Sequence, residues 1–174
     1  MAIRIGKLPD SSLIARRLAP CRHVVCASPA YLQERGGPRS PEELEGGHYD
    51  CLVYSNRTIS EEWRFRICAE WRTIRVRAKR LDVNNGDVLR DAAIAGLGLV
   101  ALPTLIVSQA IRRGELKAVL RNFELDDLPI HAIWPPNREL PAKARAFVDF
   151  LSERFGGTPY SDEALPEASG ASPD

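Results

Sequence analysis

Four consecutive residues, Asn84-Asn85-Gly86-Asp87, have the chemistry of an anion-binding helix start. The apolar pattern that follows predicts a helix over residues 87–95, whose first backbone N–H groups point outward near this segment. The helix dipole favours an anion at that end, and Gly86 lets a ligand approach the backbone closely. The alternative is plain capping, with Asn85 as the N-cap and the Asp87 carboxylate satisfying the amides and repelling an anion.

Two other segments are candidates for binding a ligand. Arg4 and Gly6 lie at the end of a short apolar strand predicted over residues 2–5. Ligands of open α/β sheets bind outside the carboxyl ends of strands, and an arginine there can hold a carboxylate through two hydrogen bonds. The alternative is a surface arginine or an ion pair within the fold. The third candidate is a second helix start, with Ser28 as N-cap and Pro29 at the first helical position.

The residue types that serve as metal ligands or catalytic groups are scattered. The four cysteines form no C-x-x-C pair and are interpreted as reduced, small buried side chains; the three histidines have no zinc-ligand spacing. The chain has no G-x-S-x-G, Walker or G-x-G-x-x-G motif. Capping and surface charge explain the carboxylates that could be considered for catalysis, namely Asp87, Asp91, Glu61 and Glu62. We therefore expect that the protein is not an enzyme and that it binds neither a metal nor a cofactor.

The charge balance also limits the classes of partner. The net charge of +1 gives no overall attraction to nucleic acid or to an anionic membrane. No apolar run approaches the roughly 18 residues of a membrane span. Arg4 and Lys7 interrupt the only candidate for a signal peptide. We therefore expect a cytoplasmic protein that does not contact a membrane.

Strands and helices alternate along most of the chain, which favours an α/β architecture. The predicted strands cover residues 2–5, 13–18, 22–27, 51–54, 99–102, 116–120 and 129–134. Helices are predicted to begin at Pro29, at Asp87 and at Pro103. The packed side of the second is predicted to consist of Val88, Leu89, Ala92, Ala93 and Ala95, and the apolar positions of the third are Leu105, Ile106, Ala110 and Ile111. Ser40 and Glu43 predict a capping box at the start of a further short helix.

Residues 63–81 contain two alternating runs, which predict a half-buried antiparallel pair of strands. Trp63, Phe65 and Ile67 share one face, and arginines line the other. That outer face could touch nucleic acid, but without interleaved exposed aromatic residues it is interpreted as a solvated sheet face.

Pro141 predicts the start of a final helix. Its packed side is predicted to consist of Ala144, Phe147, Leu151 and Phe155. The remaining residues, 157–174, are acidic and rich in proline, serine and alanine, so the sequence predicts a disordered tail.

A series of segments resembles the effector-binding domain of LysR-type transcriptional regulators in residue pattern and order. The segments are AIRIG-x-LPDSSLIARRLAPCR, VVCASPAYL, RSPEELEGGHYDCLVYS, VNNGDVLRDAAIAGLGLVALP and LPIHAIWPP-x-x-x-LPAKARAFVDFL. They cover residues 2–155, and their specificity comes from their common order rather than from any one of them.

The resemblance implies an α/β, two-lobed, type 2 periplasmic-binding-protein-like domain. Lobe I would comprise residues 1–20 and a return over residues 104–156, and lobe II residues 21–103. The winged helix-turn-helix, the linker helix and the first two β-α units of lobe I have no counterpart in this sequence, so lobe I is expected to be incomplete. Residues 2–5 would then present an unpaired strand edge, and the helices of lobe I an uncovered apolar face.

The function implied by the resemblance is the sensing of a small, anionic effector and oligomerisation within a transcription regulator. Effector contacts are predicted at Arg4, Gly6, Ser28 and residues 84–87, although the serine and threonine positions that the family often uses lie in the absent units. Partners would be the effector, further copies of the chain in a dimer or tetramer, and DNA only through the missing N-terminal domain. The alternatives are a non-functional or dominant-negative fragment, and a transporter-type solute-binding protein.

Overall fold

The computed structural model describes residues 1–6, 12–55, 61–136 and 140–156. Within them the chain forms eleven strands: β1 (Ala2–Ile5), β2 (Ile14–Ala19), β3 (His23–Ala27), β4 (Cys51–Tyr54), β5 (Glu62–Ile67), β6 (Glu70–Arg75), β7 (Lys79–Val83), β8 (Leu99–Pro103), β9 (Lys117–Val119), β10 (Glu124–Leu125) and β11 (Ile130–Trp134). The helices are α1 (Pro29–Arg35), α2 (Gly86–Ile94), α3 (Thr104–Arg112) and α4 (Ala142–Phe155), with a 3-10 helix over Pro41–Gly46. The tail predicted over residues 157–174 lies outside the described residues.

The larger part of the fold, called here the large unit, is built on a five-stranded sheet with the order β7-β4-β8-β3-β9. Strand β4 runs parallel to both β7 and β8, whereas β3 is antiparallel to β8 and β9. Along these strands, the side chains of alternate residues pack into two separate hydrophobic cores, one on each face of the sheet. One face packs against α2 and α3 through Leu89 and Val107, which are both fully buried.

The other face of this sheet is covered by α1 and by a second sheet with the order β10-β5-β6. The alternation in β5 is as the sequence predicts, because Trp63, Phe65 and Ile67 are buried while Arg64 and Arg66 are exposed. The period of two residues therefore places a row of large apolar side chains against the five-stranded sheet.

A third sheet, with the order β1-β11-β2, forms the small unit together with α4. Its core consists of Leu18, Ala132 and Val148. The prediction for the packed face of α4 is wrong in part, because Phe147 and Phe155 are 49% and 48% exposed and the buried residue is Val148. The three-stranded sheet is too narrow to cover the rest of the helix.

The assignment of residues 104–156 to lobe I does not match the sheets that these residues join. Strand β9 pairs with β3, and α3 packs on α2 and β8, so residues 104–119 belong with the large unit. The chain rejoins the three-stranded sheet only at β11. Hydrophobic periodicity predicts that a strand exists but does not identify its partner, which is why the boundary was misplaced.

Three local predictions also need correction. Ser40 makes no side-chain capping bond, and the Glu43 carboxylate instead accepts hydrogen bonds from the Arg39 amide and the Tyr49 hydroxyl. Val88 and Leu105, predicted to pack, are 47% and 50% exposed. Both lie in the first turns of helices, where only part of the helix faces the sheet.

Candidate functional site

Two crossing segments, residues 20–22 and 126–129, connect the small and large units and are called here the hinge. They run side by side, since the amide of Leu128 donates to the carbonyl of Cys21 over 3.3 Å. The amide of Thr104, at the start of α3, donates to the carbonyl of Arg22 over 2.8 Å. The hinge is therefore tied to the first residue of a helix in the large unit.

The carboxyl ends of strands from both units meet at the hinge. In the large unit β7, β4 and β8 are parallel, and β8 ends at Pro103 opposite His23, the first residue after the hinge. In the small unit β1 and β2 both pair antiparallel with β11, so they run in the same direction and end at the hinge. Ligands of α/β sheets bind at such an edge.

A cavity of about 370 Å³ lies at this junction. Its walls come from both units and from the hinge: Ile3, Leu18, Ala19, Pro20, Cys21, Thr104, Leu105, Ile130, Leu151 and Phe155. The lining is apolar apart from Thr104 and the Cys21 thiol. This volume and this lining suit the apolar body of a small molecule.

The start of α2 is capped by Asn85, as predicted by the alternative to an anion-binding helix start. The Asn85 side chain accepts hydrogen bonds from the amides of Asp87 (2.9 Å) and Val88 (3.3 Å). Asp87 is exposed and forms an ion pair of 2.8 Å with Arg90. Two of the first-turn amides that could hold an anion are therefore already used within the chain.

Replacing Asn85 with alanine is expected to lower the free energy of unfolding by about 1 kcal/mol, because those two amides lose their acceptor. Asn85→Asp, which keeps a capping oxygen, is the matched control and should stay within about 0.5 kcal/mol of the native chain. Urea denaturation followed by circular dichroism measures both. Equal stability of the alanine variant and the native chain would contradict the capping role.

Gly86 has a packing role as well as a place in the helix start. A Cβ atom at this position would lie 2.7 Å from Cδ1 of Ile106 and 3.7 Å from Cδ2 of Leu102. The start of α2 therefore sits directly against the first turn of α3. Asn84, which precedes this contact, is exposed. Residues 84–87 thus lie at the hinge end of the large unit, one helix away from the cavity.

Arg4 and Gly6 lie at the carboxyl end of β1, also at the hinge. The Gly6 amide donates to the carbonyl of Pro129 over 3.1 Å, and Arg4 is paired with His131 across the strands. The neighbour Ile3 lines the cavity, so the alternation of the strand places Arg4 on the opposite face of the sheet. These residues share the hinge with residues 84–87 but do not line the cavity.

Ser28 lies away from the other candidates. It is 3% exposed, and its hydroxyl oxygen accepts a hydrogen bond of 3.2 Å from the Tyr31 amide, as predicted for an N-cap. Strand β3 begins at the hinge with His23 and ends with Ala27, so Ser28 is at the opposite end of the sheet. The structure does not bring it together with Arg4 or residues 84–87.

The arginine-rich face of β5 and β6 carries an exposed aromatic residue, which the strand alternation alone did not predict. Trp71 is 40% exposed, and the Arg64 guanidinium lies 5.5 Å from its ring centre. Arg64 also pairs with Asp126, and Arg66 with Glu124 over 3.2 Å. Because carboxylates offset these arginines, the face remains best described as a solvated sheet surface.

Three of the four carboxylates considered for catalysis, Glu61, Asp87 and Asp91, are engaged in ion pairs. Glu61 contacts Lys79 over 2.9 Å and Arg75 over 3.5 Å, and the hydrogen bond from Lys79 lowers the pKa of its carboxyl group. Asp87 and Asp91 both pair with Arg90. Among residues 1–6, 12–55, 61–136 and 140–156, no group of three His, Cys, Asp or Glu side chains could hold a metal ion.

Sequence reasoning missed the cavity, because its walls come from distant segments. The available signal was Pro103-Thr104, which ends a buried strand and starts a helix at the hinge. No helix in the part of the chain that the structure describes is long and apolar enough to cross a membrane.

Two α/β units, joined by paired crossing segments with a cavity at their junction, define a ligand-binding domain of the periplasmic-binding-protein-like class. The LysR substrate binding domain family matches residues 1–156. The chain belongs to this family of transcription regulators. This membership argues against the alternative of a transporter-type solute-binding protein.

Individual relatives agree with this assignment. An uncharacterized HTH-type transcriptional regulator of Haemophilus influenzae is 34% identical over 82% of this chain and 49% of its own length. The regulatory domain of CrgA, a LysR-type transcriptional regulator from Neisseria meningitidis, is 31% identical with a TM-score of 0.73, over 88% of this chain and 74% of that one. Full-length AphB, the Vibrio cholerae virulence activator, has a TM-score of 0.70 at 27% identity, over 86% of this chain and 50% of that one. The chain spans about half the length of the curated relatives that it matches.

Proposed function

We propose that this chain senses a small molecule in the hinge cavity and thereby regulates transcription. The observation that carries the proposal is the cavity itself, because its walls come from both units and from the segments that join them. A ligand held there contacts Ile3 and Ile130 on one side and Thr104 and Leu105 on the other. Its binding free energy therefore depends on the angle between the units.

A ligand of this kind acts by favouring one of two arrangements of the units. It shifts the equilibrium only by the difference in its affinity for them. Closure around the ligand would bring Thr104 and Leu105 toward Leu151 and Phe155. The change in angle would reach other copies of the chain in a homo-oligomer, and DNA contact would be made by a helix-turn-helix in the half of the relatives' length that this sequence does not match.

The lining predicts the character of the effector. An apolar body is favoured, because Thr104 and Cys21 supply the few polar atoms of the wall. The expectation of an anionic effector bound by the amides of α2 loses support, since Asn85 accepts hydrogen bonds from two of them.

The test is a stability screen of the purified chain against a set of small aromatic and aliphatic compounds. A compound that binds only the folded chain raises the free energy of unfolding by about 2.7 kcal/mol at 100 times its dissociation constant. Leu105→Trp should abolish this gain, because the indole ring fills the mouth of the cavity.

Val88→Trp is the matched control. Val88 and Leu105 are both half-exposed aliphatic residues near the start of a helix, at 47% and 50% exposure respectively. Only Leu105 lines the cavity. The control should keep the full stabilisation. If the compound stabilises both variants equally, it binds outside the cavity, and this result would contradict the proposal.

A further inference from the structure

Three basic residues form a row across the small unit. Arg4 of β1 pairs with His131 of β11, and His131 pairs in turn with Arg17 of β2. Directly opposed residues in antiparallel strands point to the same face of the sheet. The order Arg4–His131–Arg17 therefore places an imidazole between two guanidinium groups.

An irregularity in the strand pairing creates this alignment. Ile130 pairs with Ala19, but the next residue, His131, pairs with Arg17, so Leu18 is an extra residue in β2. Such a bulge changes which side chains lie opposite one another. Without it, His131 would lie opposite Leu18, and the row would not exist.

The positive charge of the row is not offset within the described residues. Neither Arg4 nor Arg17 forms an ion pair with any of them, and both side chains are exposed. The adjacent Arg16 provides the contrast, because it points to the other face and pairs with Asp149 of α4. Within the described residues, one face of the strand thus carries an arginine that is paired with a carboxylate, and the other face carries an arginine that is not.

His131 adds a polar group that lacks a partner. Its Nδ1 atom is shielded from solvent and has no hydrogen-bond partner in the part of the chain that the structure describes. A half-buried imidazole lies between two arginines that form no ion pair with any described residue, at the carboxyl ends of β1 and β2. This arrangement is the polar centre of a site for a negatively charged group.

We propose that Arg4, His131 and Arg17 bind a small dicarboxylate. The outer strands of a three-stranded sheet lie roughly 10 Å apart, so each arginine can hold one carboxylate of a short chain that crosses over His131. Guanidinium and carboxylate groups match in geometry, and each such pair makes two parallel hydrogen bonds.

This site is distinct from the hinge cavity. Ile3 and Ile130 line the cavity on the α4 face of the sheet, whereas Arg4 and His131, their neighbours along the strands, point to the opposite face. The dicarboxylate site therefore does not depend on the proposed effector, and either one can fail without the other.

Isothermal titration calorimetry of the 174-residue chain with adipate tests the proposal, at constant ionic strength adjusted with chloride. Hexanoate, with one carboxylate on the same carbon chain, should bind at least about tenfold more weakly, since it engages one guanidinium. Arg4→Gln and Arg17→Gln should each raise the dissociation constant for adipate by about tenfold or more. Arg72→Gln is the control, because Arg72 is also an exposed strand arginine with no ion pair among the described residues.

Saturable adipate binding that weakens in the Arg4 and Arg17 variants and persists in the Arg72 variant supports the site. Equal weakening in all three variants would mean general charge attraction and would overturn it. So would the absence of saturable binding, or tighter binding of inorganic phosphate than of adipate. Circular dichroism of each variant establishes that the sheet is retained.

Discussion

Replacing Gly98 with alanine is expected to lower the free energy of unfolding by about 3 kcal/mol. A Cβ atom at this position would lie 2.4 Å from the carbonyl oxygen of Asp50 and 2.9 Å from its carbonyl carbon. Both contacts are with backbone, so no side-chain rotation relieves them. The same carbonyl accepts a hydrogen bond of 2.9 Å from the amide of Leu99, which fixes β8 beside β4. An added methyl group would push these two central strands apart.

Gly46→Ala is the matched control for this substitution. A Cβ atom at Gly46 would meet no atom within 4 Å, and the residue lies at the end of the 3-10 helix. Its replacement should change the free energy of unfolding by less than about 0.5 kcal/mol. Equilibrium unfolding in urea, followed by tryptophan fluorescence, compares the two variants. If they unfold at the same urea concentration, the close approach of Gly98 to Asp50 does not contribute to stability.

The elements defined by local signals were predicted well. Ser28-Pro29 and Asn85-Gly86 mark the starts of α1 and α2, where each cap makes the expected hydrogen bonds. The alternation of Trp63, Phe65 and Ile67 identifies the buried face of β5. Capping and strand alternation depend on residues within a few positions of one another, so the sequence contains the information directly.

The two proposed binding sites depend on pairing between distant segments, and this pairing was not predicted. The row at His131 exists because β11 lies between β1 and β2 and because β2 has an extra residue at Leu18. Arg4 was identified from its position at a strand end, but nothing in the sequence near it indicates Arg17 as its companion. The cavity likewise combines Ile3, Thr104 and Phe155, which only the folded chain brings together.

In the native chain at pH 8, Cys68 is expected to react with a thiol reagent, and Cys26 and Cys51 are expected to be protected. Cys68 is exposed in the turn between β5 and β6, whereas the other two are fully buried. Burial raises the pKa of both thiols to about 12. Because the thiolate is the reactive form, and an ordinary pKa is about 8.5, the reactive fraction at pH 8 falls by roughly 10³-fold.

Reaction with Ellman's reagent measures this difference directly. The folded chain should release one equivalent of product rapidly, because Cys21 is also buried, at 2% exposure. The chain in guanidinium should release four, one for each cysteine. Cys68→Ser is the control, since it should remove the rapid phase and leave three thiols in the unfolded chain. Rapid modification of Cys26 or Cys51 in the native chain would contradict their assignment to the core.

The raised pKa values of Cys26 and Cys51 predict that the folded chain loses stability at alkaline pH. The folded pKa of Cys26 and of Cys51 lies above that of the unfolded chain, so the unfolded chain loses these protons first as the pH rises. The stability due to burying the neutral thiols is complete below about pH 8.5 and is lost between there and about pH 12. Urea midpoints at pH 7.5 and pH 10, compared between the native chain and Cys26→Ala, measure the effect. If the urea midpoint decreases less between pH 7.5 and pH 10 in Cys26→Ala than in the native chain, the alkaline loss of stability is due to the Cys26 thiol. An equal decrease in both would contradict this assignment.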